Sequence, residues 1–264
     1  MHRVEVCRGG VTLSCLEGGR GHDVVVLLHG LAGSAQEWLP TATALLRDHR
    51  VIAFDQRGHG HSTRRPADVS RRAYVDDVAA IVQALAPNDP VILVGQSMGA
   101  HTAMLTAAWH PHIVGRLVML DGGVGGNDGD DYPTRLGKWF ASWPVPFKDA
   151  KAAHAYLGPR SISQSWIRDM EERDDGLWPR FDADIMEAAI RPVADAARWK
   201  EWSAVTAPTL LVRGERSGVG EDEFQRMLAA RADVAHEVIA DSGHDAHLDQ
   251  PESWNAVLRH YLER

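Results

Sequence analysis

The chain is poor in cysteine: only Cys7 and Cys15 occur in 264 residues. Two thiols make no disulfide framework, so the expectation is a reduced protein of a cytoplasmic compartment. A bridge between paired N-terminal strands is the alternative. Long apolar runs are also missing. The Val24–Leu28 run meets His29 at once, far short of the roughly 20 residues that span a bilayer. Met1–Val6 shows no apolar stretch before a small-residue cleavage site, so no secretory leader and no membrane association are expected. A basic surplus is lacking too. Lys plus Arg number 28 against 36 Asp plus Glu, a formal charge of −8, and nucleic-acid binders usually carry a basic face. No P-loop, C-x-x-C or G-x-G-x-x-G is present, which removes the usual signs of nucleotide, redox or dinucleotide chemistry. Asn127–Asp131 resembles a calcium loop only faintly, without the closing Glu, and reads as an acidic linker. No cofactor and no metal are indicated.

What is present is an alternation. Val24–Leu28, Val51–Phe54, Val91–Val94, Leu117–Leu120 and Leu210–Val212 are short, β-branched or leucine-rich runs. Such runs are strands buried on both faces, as a parallel sheet requires. Between them, 73–86, 98–110 and 221–231 space apolar residues at helical intervals. That order implies crossover connections and a doubly wound α/β sheet. Residues 3–7 and 11–16 flank Gly9-Gly10 as an edge hairpin. The rhythm stops after Leu120. From a glycine-rich connector to about 203 no convincing strand is found, and six of the nine tryptophans lie there. The reading is a core of 1–123 and 204–264, with 124–203 inserted as a helical cap over the carboxyl ends of the strands.

The strongest local signal is Gly95-Gln96-Ser97-Met98-Gly99. It sits between the strand 91–94 and a helical stretch, the setting of a nucleophile elbow. A serine needs a base, and His244, on the loop after a strand at 235–239, is the candidate. His247 reads as a loop brace. The order serine, acid, histidine leaves two acids open. Asp121 ends the strand beside that of Ser97, about 4.8 Å away, and is preferred; Glu215, after the next strand, is the alternative. The acid would hold the imidazole tautomer. The loop His29-Gly30-Leu31 directs amides toward a substrate carbonyl, so Leu31 and Met98 are assigned as oxyanion donors. The cap tryptophans are simplest as cap core, with Trp139, Trp143 and Trp166 as candidates for an apolar substrate pocket.

Taken together, the strand–His29-Gly30 junction, Asp55–Ser62, the Ser97 elbow and Gly243-His244 resemble the α/β-hydrolase superfamily, in its cap-bearing branch. The resemblance spans nearly the whole chain and implies the fold more sharply than the substrate. Members usually carry the acid a few residues after the glycine matching Gly214, where this chain has Ser217 and Gly218; a minority place it where Asp121 stands. In the family, Asp55–Ser62 is a structural turn. The resemblance implies a serine hydrolase of an ester, lactone or thioester of a fairly apolar small molecule. A monomer or homodimer is expected, with a small-molecule substrate as its partner. Dehalogenases and epoxide hydrolases of this fold carry Asp at the elbow, so Ser97 argues against both. The enzymatic rival is carbon–carbon hydrolysis of a ring-fission-type diketone acid, whose carboxylates require a cation; Arg135, Arg160, Arg168 and Arg191 lie in the cap. A low-turnover ligand receptor on the same fold is the non-enzymatic rival.

Overall fold

The computed structural model describes residues 1–126 and 131–263; the acidic Asn127–Asp130 stretch lies outside the described residues. Ten strands follow in chain order: β1 His2–Arg8, β2 Val11–Gly18, β3 Val24–Leu28, β4 Arg50–Phe54, β5 Val91–Gln96, β6 Val114–Leu120, β7 Glu171–Arg173, β8 Gly176–Trp178, β9 Thr209–Gly214 and β10 Ala235–Ile239. Eight of them form one sheet in the order β1-β2-β4-β3-β5-β6-β9-β10. The β1–β2 and β2–β4 pairs are antiparallel and the rest are parallel. This is the mostly parallel, doubly wound α/β sheet that the alternation predicts. Cys7 pairs in register with Thr12 and Cys15 with Val4, and both thiols are free.

Both faces of the sheet are buried because alternate side chains leave it on opposite sides. Val26, Leu28, Val91 and Leu93 enter one core, while Val25, Leu27, Ile92 and Val94 enter the other. The first core lies under helices α2 (Arg71–Leu85) and α3 (Met98–Trp109). Trp38 and Trp254 fill the second, both fully buried. The turn after β4 is structural, as its sequence implies. Asp55 accepts hydrogen bonds from the Ala35 and His61 amides at 2.7 and 2.9 Å. Arg57, two residues on, forms a buried double hydrogen bond with Asp77 of α2 at 2.6 Å.

The inserted segment folds as α4 (Tyr132–Ala141), α5 (Ala150–Leu157), α6 (Ser161–Asp169) and α7 (Ala183–Ala194). It has its own cluster of Phe140, Trp143, Phe147, Phe181 and Met186, which rests on Leu31 and Ala32 of the loop after β3. Arg64 and Arg65 of the core pair with Asp182 of the cap at 2.7 and 2.8 Å. Two details differ from the sequence reading. The cap contains a small antiparallel hairpin, β7–β8; three-residue strands are too short to show a period. Also, α8 (Trp199–Ala204) packs on the core, where Trp202 is fully buried. Its tryptophans belong to the sheet side, not to the cap. No described helix is long and apolar enough to cross a membrane.

The elbow depends on absent side chains. A Cβ on Gly95 would stand 2.3 Å from the Gly99 carbonyl oxygen, and one on Gly99 would stand 2.3 Å from that of Leu28. Backbone cannot retreat as a flexible side chain can. Gly99→Ala is therefore expected to cost about 1–3 kcal/mol, as overpacking does. Calorimetry should show a Tm lower by several degrees; an unchanged Tm would mean that the turn tolerates the methyl group.

Candidate active site

Ser97 occupies the turn between β5 and α3 with φ 53° and ψ −119°, a conformation that is costly for a residue with a Cβ. The ladder around it fixes the turn: the Ser97 amide donates to the Leu120 carbonyl at 2.9 Å and the Asp121 amide to the Val212 carbonyl at 2.7 Å. Ser97 and Asp121 therefore stand on neighbouring strand ends. Between them sits the ring of His244, with Nε2 2.8 Å from Ser97 Oγ and Nδ1 2.9 Å from Asp121 Oδ1. With Nδ1–H donating to the carboxylate, Nε2 is free to accept the serine proton.

The acid is buried and well supplied with donors. The Asp121 carboxylate is 0% exposed. Its Oδ2 accepts the Gly214 amide at 2.7 Å, and its Oδ1 accepts the Ser217 hydroxyl at 2.5 Å. The alternative acid is elsewhere. Glu215 is 55% exposed, accepts the Asp241 amide at 2.9 Å and lies 3.8 Å from Arg216. It makes no contact with His244, because its side chain braces the loop after β10. The loop where family members carry the acid does pass the imidazole: a Cβ on Gly218 would stand 3.4 Å from His244 Nδ1. Here that loop contributes the Ser217 hydroxyl, and the carboxylate comes from β6.

Sequence reasoning missed several supports. Gln96 Nε2 donates to the His244 carbonyl at 3.0 Å, and Asp249 accepts the Gly243 amide at 2.8 Å. Both hold the histidine loop, and neither carries a motif. His247, which the sequence already marks as a loop brace, is buried, stacks on Trp38 at 4.5 Å between ring centroids and lies 3.8 Å from Glu37. Burial favours the neutral form of His244, but the hydrogen bond and charge of Asp121, with the charges of Asp245 and Asp249, outweigh it. Its pKa is raised above the ordinary 6.5.

The loop after β3 reaches the same point. A Cβ on Gly30 would stand 3.3 Å from Ser97 Cβ. Beyond it, His29 Nδ1 bonds the Gly30 carbonyl at 2.7 Å and His29 Nε2 accepts the Gln56 amide at 2.9 Å. The amides of Leu31 and Met98 have no protein acceptor among the described residues. Two cavities open beside Ser97 and His244. One, of about 370 Å³, is walled by Gly122, Gly123, Gly125, Gly126, Ile190 and Val193. The other, of about 440 Å³, is walled by Leu31, Leu136, Trp139, Phe140, Ile162 and Trp166. Tyr132 borders both. Of the three candidate tryptophans, Trp139 and Trp166 thus face the site. Trp143 lines neither cavity. It is 3% exposed and packed against Trp139, Trp166 and Phe181, so for this residue the cap-core reading applies. Among the described residues no group of three or more His, Cys, Asp or Glu is placed to hold a metal ion.

Fold and site define an α/β hydrolase. The chain belongs to the alpha/beta hydrolase family, whose model matches residues 25–257. It is similar to an esterase of Mycobacterium tuberculosis, 28% identical over 95% of this chain and 86% of that protein. It is also similar to the 2-(acetamidomethylene)succinate hydrolase of Mesorhizobium japonicum, 27% identical over 99% of this chain and 94% of that one. A crystal structure of an E-2-(acetamidomethylene)succinate hydrolase superposes with a TM-score of 0.87 at 25% identity, covering 100% of this chain and 99% of the other. Homologues of these kinds support hydrolase activity.

The raised pKa of His244 has a signed consequence. A base must be neutral to accept a proton, so kcat/KM is expected to fall on the acid side with a midpoint above 6.5. Asp121→Asn removes the carboxylate that lifts the pKa and should move that limb to lower pH. A pH–rate profile on an ester checks both, and a limb that stays in place in the variant would contradict the coupling.

Proposed function

We propose that the chain is a serine hydrolase that cleaves an ester, lactone or thioester of a fairly apolar small molecule through an acyl-enzyme on Ser97. The observation that carries this reading is the unbroken run of hydrogen bonds from Ser97 Oγ through His244 to Asp121. Ser97 Oγ attacks the substrate carbonyl while its proton passes to His244 Nε2. The Leu31 and Met98 amides receive the negative charge that develops on the carbonyl oxygen. Asp121 stabilises the imidazolium and keeps the proton on Nδ1. His244 then protonates the departing oxygen or sulfur, and the acyl-enzyme forms. Water attacks it as His244 takes the water's proton; the bond to Ser97 Oγ then breaks, His244 returns the proton to that oxygen, and the acid leaves with Ser97 and His244 restored. The aromatic walls of the larger cavity suit an apolar acyl or alcohol part.

Carbon–carbon hydrolysis of a ring-fission-type diketone acid is the second reading. It uses a similar serine, histidine and acid, and Arg160 on the wall of the larger cavity favours it, since such an acid carries carboxylates. Cleavage of a ring-fission acid, with no simple ester turned over, would put it first.

Ser97→Ala should lower hydrolysis of a para-nitrophenyl ester by about a thousandfold or more, and a fluorophosphonate should label Ser97 in the native protein alone. Undiminished hydrolysis by the alanine variant would refute the nucleophile. Asp121→Asn should cost about three to four orders of magnitude in kcat. Glu215→Gln, measured beside it, should leave the rate within a few-fold; the reverse order would move the acid to Glu215.

A further inference from the structure

Of the four cap arginines singled out in the sequence, Arg191 is neutralised by Glu187 at 2.6 Å and also donates to Thr134. Arg135 and Arg168 line neither cavity at Ser97. Other arginines of the inserted segment are likewise engaged: Arg173 with Glu171, Arg180 with the Asp169 carbonyl, and Arg198 with Glu201. Arg160 differs in both respects. It lines the larger cavity together with Ser97 and His244, and its guanidinium has no ion pair or hydrogen bond among the described residues. No other lysine or arginine lines either cavity.

We infer that Arg160 is a specificity-determining residue that binds a carboxylate of the substrate, at the cap end of the aromatic cavity. The inference deepens the hydrolase reading and rests on Ser97 being the reacting group. Arg160 stands at the start of α6, and Ile162 and Trp166 of that helix share its wall. An apolar spacer would lie along Trp139, Phe140 and Trp166, with its charged end at the guanidinium. The opposite, core side of the cavity repels an anion. Glu37 and Asp245 line it, held there by the Gly30 amide at 3.4 Å and the Gln96 side chain at 3.4 Å. Cation at one end and carboxylates at the other orient an anionic substrate in one direction, with its reacting carbonyl toward Ser97. A guanidinium suits this task because its fork of N–H donors matches the two carboxylate oxygens. The chemical class is therefore an ester, lactone or related acyl compound with a free carboxylate beyond a short apolar spacer.

Two esters that differ only in charge test this: mono-para-nitrophenyl glutarate and its methyl ester. The wild type should favour the anionic ester. In Arg160→Met the kcat/KM ratio of anionic to neutral ester should fall by about tenfold or more, a charge-assisted hydrogen bond being worth that much. The loss should appear in KM, because the group is remote from the reacting bond. Arg160→Lys, which keeps the charge but not the fork, should fall between. An equal ratio in wild type and Arg160→Met would overturn the proposal. Binding gives a readout free of turnover. Glutarate titrated into the Ser97→Ala protein should change its tryptophan emission, and Arg160→Met in that background should raise the Kd about tenfold; no change in Kd would overturn the proposal as well. Should the binding loss occur while fluorophosphonate leaves native Ser97 unlabelled and no ester is cleaved, the hydrolytic reading falls and the carboxylate site stands.

Discussion

One imidazole ties the molecule's functional geometry together. His244 bonds a residue 123 positions away on one side and a residue 147 positions away on the other. The two bonds bring together the loops that follow β5, β6 and β10, and β9 lies in register between β6 and β10. The surroundings of the ring serve that placement. Gln96 and Asp249 hold its loop, His247 three residues on stacks on Trp38, and Gly218 leaves the space an additional side chain would occupy. A buried carboxylate with no cation would be unfavourable. Asp121 is tolerated because the Gly214 amide, the Ser217 hydroxyl and the His244 N–H all donate to it.

The cap adds selection to this frame. It is attached through the loop after β3, which also presents Leu31 to the site, and through ion pairs from Arg64 and Arg65. The cap cluster and the loop that carries Leu31 therefore share one packed contact. The two cavities meet at Ser97 with different walls, one glycine-rich with aliphatic and acidic side chains and the other aromatic. A scissile bond placed at Ser97 thus has dissimilar surroundings on its two sides, which suits the discrimination of acyl from leaving group.

The strands were legible because burial on both faces forces continuous apolar runs, and the elbow because few residues fit between a strand and a helix that close together. The histidine was legible from its loop and position near the end of the chain. The acid was harder: Asp121 and Glu215 both follow strands that end at the site, and only direction of the side chain separates them. The short hairpin of the cap, with three charged residues on one arm and Gly-Leu-Trp on the other, carries no periodic signal. The tryptophans could not be sorted by sequence either. Trp143 and Trp166 both belong to an interlocked aromatic cluster, and which ring edge reaches the cavity depends on how four helices pack.

Sequence by itself determined the layer order, the strand–turn–helix setting of Ser97 and the candidate histidine, because these follow from local periodicity, backbone crowding and the chemistry of side-chain types. Tertiary structure alone decided which carboxylate meets His244, which tryptophans line the cavity at Ser97 and which unpaired cap arginine lines it with them. Those outcomes depend on distances of a few ångströms between segments far apart in the chain, and such distances are set by packing, not by local sequence pattern.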